Sequence, residues 1–220
     1  EEKFRIKLVG APQLDEIESL KRKKSLGYSE VRAFHNLPSS KKYYLVIFHS
    51  VTEEIQHIKK QIQTLIESTS EILLHKIWIL PNNDPGSSII RDKLLKSASN
   101  KDKIYENFPR NDFLEIMKNS IAIIGNSSAG IIEAPSFSLP TVNIGRRQNK
   151  RFRARNVIDV SYFKKKEIVK AIKKASSKNF KKRLTKLINP YGDGKSSVRI
   201  VKELKKMYNH EKLLTKDLTY

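Results

Sequence analysis

The chain has 220 residues and a formal net charge of +21, from 44 Lys+Arg against 23 Asp+Glu. Its 38% hydrophobic content is that of a folded body rather than a disordered one, and the absence of cysteine excludes a disulfide framework, thiolate metal sites and a cysteine nucleophile. The apolar runs are far too short to cross a bilayer, and the Glu1-Glu2-Lys3-Phe4-Arg5 start is not a signal peptide but reads as entry into a longer protein.

Along the chain, strand-type and helix-type patterns alternate. Residues 4–9 alternate as a strand would, and residues 43–48 are a continuous β-type run. Thr52 then caps a helix that carries Ile55, Ile58, Ile62, Leu65 and Ile66 on one face, with Glu53 and Glu54 at its positive end. Residues 72–80 predict the next strand, and 81–86 a turn cluster. Ser87 or Ser88 caps a short helix to Leu95, and Asn111 or Asp112 another to Met117. Strands are predicted at 121–124, 141–144 and 156–160, with a loop at 125–130 and a helix near 131–137. Residues 164–175, 180–188 and 196–208 read as helices, the last two divided by a turn at 189–194.

Continuous apolar strands separated by helices give βαβ units and a sheet covered on both sides. The predicted fold class is therefore α/β, a three-layer Rossmann-like domain with a mostly parallel sheet. In such a sheet the functional surface lies at the carboxyl ends of the strands. That rule selects His49-Ser50, the 81–86 turn, the 125–130 loop and residues 145–151.

Gly125-Asn126-Ser127-Ser128-Ala129-Gly130 joins a strand to a helix. Small residues there let backbone N–H groups and the hydroxyls of Ser127 and Ser128 meet an anion, although the same loop serves equally as a helix cap. It is neither a dinucleotide fingerprint nor a P-loop. Glu133 lies one turn further on among apolar residues, where it answers either a sugar diol or the helix dipole. From Arg146 to Arg155 there are six cations in ten residues and no acid, a run suited to a pyrophosphate or to a solvated surface. His49 ends the 43–48 run, where it reads as a phosphate donor and proton carrier or as a structural residue. The other histidines share no metal-ligand spacing with it, and Asn82 and Asp84 occupy the next strand end.

The second part is the more basic: residues 146–220 hold 24 Lys+Arg and 6 Asp+Glu. That balance suggests nucleic acid, but the lysines are scattered around helices with few aromatics among them, as on a solvated face.

Taken together, the run from Ile124 to Gln148 (IGNSSAGIIEAPSFSLPTVNIGRRQ) resembles the hallmark of the hydrolysing UDP-N-acetylglucosamine 2-epimerases of sialic-acid synthesis. The resemblance extends to VGAPQLD at 9–15, to His49 with Val51-Thr52, to PNND at 81–84 and to YGDG at 191–194. It implies one half of a GT-B-type two-domain enzyme, the C-terminal, UDP-binding half, with the N-terminal domain and the catalytic carboxylates elsewhere. The implied division is an entry segment at 1–16, the UDP-binding domain at 17–194, and a C-terminal helix at 195–220 packing toward the missing domain.

By position, Ser127 and Ser128 would hold the diphosphate, Glu133 the ribose, Asn82 and Arg147 the nucleotide, and the backbone near Phe108 the uracil. His49 would assist departure of UDP. No cofactor and no metal are implied. The implied enzyme is a cytoplasmic homo-oligomer acting on a UDP-sugar, UDP-N-acetylglucosamine or its 2,4-diacetamido relative, and the isolated chain would be inactive. A GT-B glycosyltransferase donor domain is the nearest alternative, and a basic nucleic-acid-binding protein a remote one. Ser50, where the family has Pro, and Lys150, where it has Gly, depart from the pattern. The phosphate loop of the non-hydrolysing epimerases is missing.

Overall fold

The computed structural model describes residues 2–22, 27–38, 42–97 and 99–207. In chain order the elements are α1 (Gln13–Arg22), α2 (Tyr28–Phe34), β1 (Tyr43–Ile47), α3 (Ile58–Ser70), β2 (His75–Ile79), α4 (Ser87–Ser97), β3 (Asp102–Tyr105), α5 (Arg110–Asn119), β4 (Ile123–Gly125) and α6 (Ala129–Ile132). They continue with β5 (Thr141–Ile144), β6 (Val157–Val160), α7 (Lys165–Ser176), α8 (Lys178–Lys182) and α9 (Ser196–Met207). Short 3-10 turns cover Lys3–Arg5, Thr52–His57 and Ala134–Phe137. The chain forms two compact units, residues 24–190 and residues 1–23 with 191–220.

The larger unit is a three-layer α/β domain. Its six strands are all parallel, in the order β3-β2-β1-β4-β5-β6. The central strand shows why a continuous apolar run was needed. Every residue of β1 is buried, and alternate side chains serve opposite layers. Tyr44, Val46 and Phe48 join one core with Ile62 and Leu65 of α3, Leu94 of α4 and Ile168 and Ile172 of α7. Tyr43 serves the other side, where its hydroxyl donates to the Ile116 carbonyl of α5 at 2.6 Å and its ring stacks on Tyr28 of α2.

In the smaller unit Asp15 of α1 receives the first turn of α9. Its carboxylate accepts from the backbone N–H groups of Ser196 and Ser197, at 2.8 and 2.6 Å, and from the Ser197 hydroxyl at 2.5 Å. Arg199 donates two 2.7 Å hydrogen bonds to Asp193.

Several sequence expectations are corrected. Residues 4–9 are not a strand: a 3-10 turn starts the segment and the rest is irregular, with Ile6 and Leu8 exposed. An alternating pattern forms a strand only where a neighbour supplies ladder partners. Thr52 does not cap α3; it opens the 3-10 turn, and the α-helix begins at Ile58. The helix expected at 131–137 is a single turn of α6 followed by a 3-10 turn containing Pro135. Proline lacks the N–H that a continuing helix needs. The α5 helix starts at Arg110 after Pro109, not at Asn111 or Asp112. The helix expected at 180–188 is the short α8, capped by Ser177, whose hydroxyl accepts from Phe180 N–H at 3.2 Å. Position 208, taken as the end of the last helix, lies outside the described residues.

Candidate functional site

In the order 3-2-1-4-5-6 the direction of sheet growth reverses between β1 and β4, and crossovers leave these neighbours for opposite layers. A crevice at their carboxyl ends is the consequence. His49 follows β1, and Asn126, Ser127 and Ser128 follow β4.

Gly125 permits the close approach of the two strands. Its φ is +131°, and a Cβ there would lie 2.0 Å from the Ile47 carbonyl oxygen, so no other residue fits. Asn126 is fully buried and joins three loops. Its backbone N–H donates to the Ile47 carbonyl at 3.1 Å, and its amide makes two bonds to the His49 backbone. Its own carbonyl accepts from Gln148 Nε2 at 2.8 Å and Arg147 Nη1 at 3.4 Å.

The loop after β2 closes the crevice on the other side of His49. His49 Nδ1 is 3.1 Å from Asn82 Oδ1, and Asn82 Nδ2 donates to Asp84 Oδ2 at 2.7 Å. Arg147 Nη2 lies 4.0 Å from the same carboxylate oxygen. His49, Asn82 and Arg147, from three segments of the chain, therefore come together. Burial, and then the Arg147 charge, hold the His49 imidazole below its ordinary pKa, against the opposing pull of Asn82 and Asp84. Burial likewise lowers Arg147.

The cation run divides by role. Arg146 pairs with the buried Glu54, which also accepts from Gln61 Nε2 at 2.9 Å. Its backbone N–H donates to the Tyr162 hydroxyl at 3.2 Å; burial pushes that phenol up to about 12, so it stays protonated. Arg153 bonds the Gln148 carbonyl and pairs with Asp159. Arg146 and Arg153 are thus committed to holding the loop, and Arg147 is the member placed against His49's neighbours.

Ser127 and Ser128 differ as well. The Ser127 hydroxyl accepts from Ala129 N–H at 3.3 Å, a local turn, whereas Ser128, at the N-cap, makes no side-chain cap bond. With α6 only four residues long, an anion here meets hydroxyls and nearby amides more than a helix dipole.

Phe108 and Glu133 form a second cluster. Glu133 is buried and pairs with Arg110. Two residues before Arg110, the Phe108 ring packs edge-on to His35, with centroids 4.9 Å apart, and 4.6 Å from Tyr105. His35 in turn bonds Asp112 at 2.7 Å. The sequence alone gives no individual site role to Asn126, Gln148, Glu54 or Arg110. Their one signal was polarity beside apolar segments, which surface residues share.

Among the described residues no group of three His, Cys, Asp or Glu side chains is placed to hold a metal ion, and no helix is long and apolar enough to cross a membrane.

Residues 1–205 match the UDP-N-acetylglucosamine 2-epimerase family. The chain belongs to that family. Among its relatives is the UDP-N,N'-diacetylbacillosamine 2-epimerase (hydrolyzing) of Legionella pneumophila, 37% identical over 213 residues, which cover 96% of this chain and 54% of that protein. The UDP-N-acetylglucosamine 2-epimerase of Neisseria meningitidis is 33% identical over 177 residues, covering 80% of this chain and 46% of that one. The chain thus spans about half the length of these relatives.

Two solved structures share the family fold. One is the Methanocaldococcus jannaschii UDP-GlcNAc 2-epimerase in complex with UDP-GlcNAc and UDP, with a TM-score of 0.72, 24% identity, and coverage of 94% of this chain and 56% of that one. The other is the N. meningitidis enzyme bound to UDP-GlcNAc, with a TM-score of 0.72, 19% identity, and coverage of 90% and 54%.

Proposed function

We propose that this chain is the nucleotide-binding part of a hydrolysing 2-epimerase that converts UDP-N-acetylglucosamine to N-acetylmannosamine and UDP, as in sialic-acid synthesis. The observation that carries the reading is the meeting of His49, Asn82 and Arg147 at the β1–β4 crevice, beside Ser127 and Ser128 of the family motif. Ser127, Ser128 and Arg147 hold the diphosphate, Glu133 the ribose, Asn82 the nucleotide, and the segment at Phe108 the uracil. Ribose binding at Glu133 requires its carboxylate to share or exchange the Arg110 contact.

In this reaction the C1–O bond breaks and its electron pair leaves on the β-phosphate oxygen. A base removes the C2 proton, giving an unsaturated sugar and UDP. Water then adds across the double bond with the opposite configuration at C2. Donors aimed at the oxygen where charge collects favour the first step. His49 and Arg147 supply them here, and the carboxylates that handle the C2 proton belong to an N-terminal domain outside these 220 residues.

The entry segment at 1–16 and the C-terminal segment at 195–220, of which 208–220 lie outside the described residues, then connect to that domain, and the UDP-binding domain spans 17–194. The whole enzyme is a cytoplasmic homo-oligomer of GT-B type, and this chain by itself binds UDP without turning substrate over.

A UDP titration of the chain, repeated with Ser128→Ala and Glu133→Ala, tests the site. Weaker binding in both variants supports it; binding that neither variant weakens removes it. A second reading of the substrate, a UDP-2,4-diacetamido sugar, is favoured by the L. pneumophila relative. Product analysis of the full-length enzyme with each sugar nucleotide separates the two, and sugar passed to an acceptor instead of water would indicate a glycosyltransferase.

A further inference from the structure

Two groups of Asn82 compete for one nitrogen of His49. The side-chain carbonyl lies 3.1 Å from Nδ1, and the backbone N–H lies 3.4 Å from it. They call for opposite tautomers: the carbonyl accepts from Nδ1–H, whereas the N–H donates to a bare Nδ1.

Asp84 decides between them. Its Oδ2 accepts from Asn82 Nδ2 at 2.7 Å. A carboxylate only accepts, so the Asn82 amide cannot turn over without setting oxygen against oxygen. Its nitrogen being held, Asn82 presents its carbonyl to His49, and the longer contact falls outside the usual N–H hydrogen-bond range. Arg147, 4.0 Å from Asp84 Oδ2, fixes the carboxylate from the other side.

We propose that Asp84 is a positioning residue: through Asn82 it fixes the Nδ1–H form of His49, so that His49 receives a diphosphate as imidazolium. The first half of this proposal stands on the contacts alone, and the second rests on the nucleotide site proposed above. A neutral imidazole protonated at Nδ1 carries a lone pair on Nε2, which repels a phosphate oxygen. The contact becomes a charge-assisted hydrogen bond when Nε2 gains a proton. UDP binding therefore draws a proton onto His49. The charged groups facing His49 are Arg147, from the loop after β5, and Asp84, from the loop after β2. The loop after β4 faces it with the uncharged Asn126, which bonds its backbone. Arg147 opposes the imidazolium and Asp84 supports it, so loss of Asp84 weakens both the tautomer and the proton uptake.

Nitrogen-15 histidine spectra of the nucleotide-free chain, recorded above the His49 titration, test the first half. The proton is expected on Nδ1 in the parent chain and redistributed toward Nε2 in Asp84→Ala. Asn82→Ala, which removes the carbonyl itself, is expected to give the same change, with thermal midpoints confirming that both variants fold. Nε2–H dominant in the parent chain, or an unchanged spectrum in folded Asp84→Ala, overturns the positioning role. Calorimetric UDP titration at pH 8 in buffers of different ionisation enthalpy tests the second half. Uptake of a fraction of a proton per UDP is expected, and less in Asp84→Ala. Binding without proton uptake overturns the imidazolium. If UDP does not bind at all, the nucleotide site falls, while the nitrogen spectra still decide the role of Asp84.

Discussion

Asn126 holds the backbone of His49 from both sides: its Oδ1 accepts from the His49 N–H at 2.8 Å, and its Nδ2 donates to the His49 carbonyl at 2.8 Å. The amide continues the β1–β4 ladder by one step after the strands have ended. Replacing Asn126 with Asp puts an acceptor against the His49 carbonyl. Leaving buried groups unpaired costs about 1–3 kcal/mol each, so Asn126→Asp is expected to lose about 2–4 kcal/mol in urea unfolding. UDP affinity should fall with it; wild-type stability and affinity together would show that the bridge does not position His49.

Gly130 has no room for a side chain, because a Cβ there would lie 2.5 Å from Thr141 Cγ2. Gly130→Ala is expected to cost about 1–3 kcal/mol from overpacking. Thr141→Ser removes the obstructing methyl and keeps the hydroxyl that donates to the Gly130 carbonyl at 3.0 Å. The double variant should therefore be more stable than the sum of the single losses predicts, which a double-mutant cycle by chemical denaturation measures directly.

The His49 imidazole titrates below its ordinary value because it is buried and then because Arg147 stands near it. A histidine lowered in the folded state binds fewer protons than in the unfolded chain. Its effect on stability is thus absent above about pH 6.5 and becomes a growing penalty as pH falls below that value. Proton NMR of the His49 ring should give a midpoint below 6.5, and Arg147→Ala should raise it. A midpoint unmoved by Arg147→Ala would show that burial alone sets it.

Asp15 acts as the N-cap of α9 from a distant part of the sequence. Burial raises its pKa, but the hydrogen bonds from Ser197 and Ser196 outweigh it, and the carboxyl ends below the ordinary value. Its contribution is present above the unfolded carboxylate pKa and is lost as pH falls through the folded one. Asp15→Ala is expected to cost about 1 kcal/mol, the usual worth of a cap. Hydrogen exchange at the first-turn amides of α9 should accelerate; unchanged protection there would argue that the helix is held by packing alone.

Much of the architecture could be read in advance, and the reasons differ by element. Thr141–Ile144 is legible to the residue because it is short, rich in β-branched side chains and bounded by Pro140 and Gly145. The α/β class followed from such buried runs. β3 is not legible because Asp102–Tyr105 is a four-residue edge strand whose first two positions are charged, leaving only Ile104 and Tyr105 as β-type residues. α1 was missed because Gln13–Arg22 mixes acids and bases with few apolar positions.

The site was legible as places more than as partners. The carboxyl-end rule pointed to His49, Asn82 and Ser127–Ser128 because it needs only strand positions. The family resemblance named Arg147 for the nucleotide, but that Arg146 beside it would be spent on Glu54 was beyond reach, since Glu54 lies 92 positions earlier in an unexpected 3-10 turn. Pairing across such distances leaves no periodic trace.

The strand order carries a consequence for synthesis. His49 and Asn82 leave the ribosome first, yet the partner that grips the His49 backbone is separated from it by 77 positions. Every segment up to β3 can be complete while the crevice has only one wall. The crevice is thus completed late in assembly, when β4 slots in beside β1, and a nascent or truncated chain ending before Asn126 would keep the Asn82 contact to the His49 ring but leave the His49 backbone without its anchor.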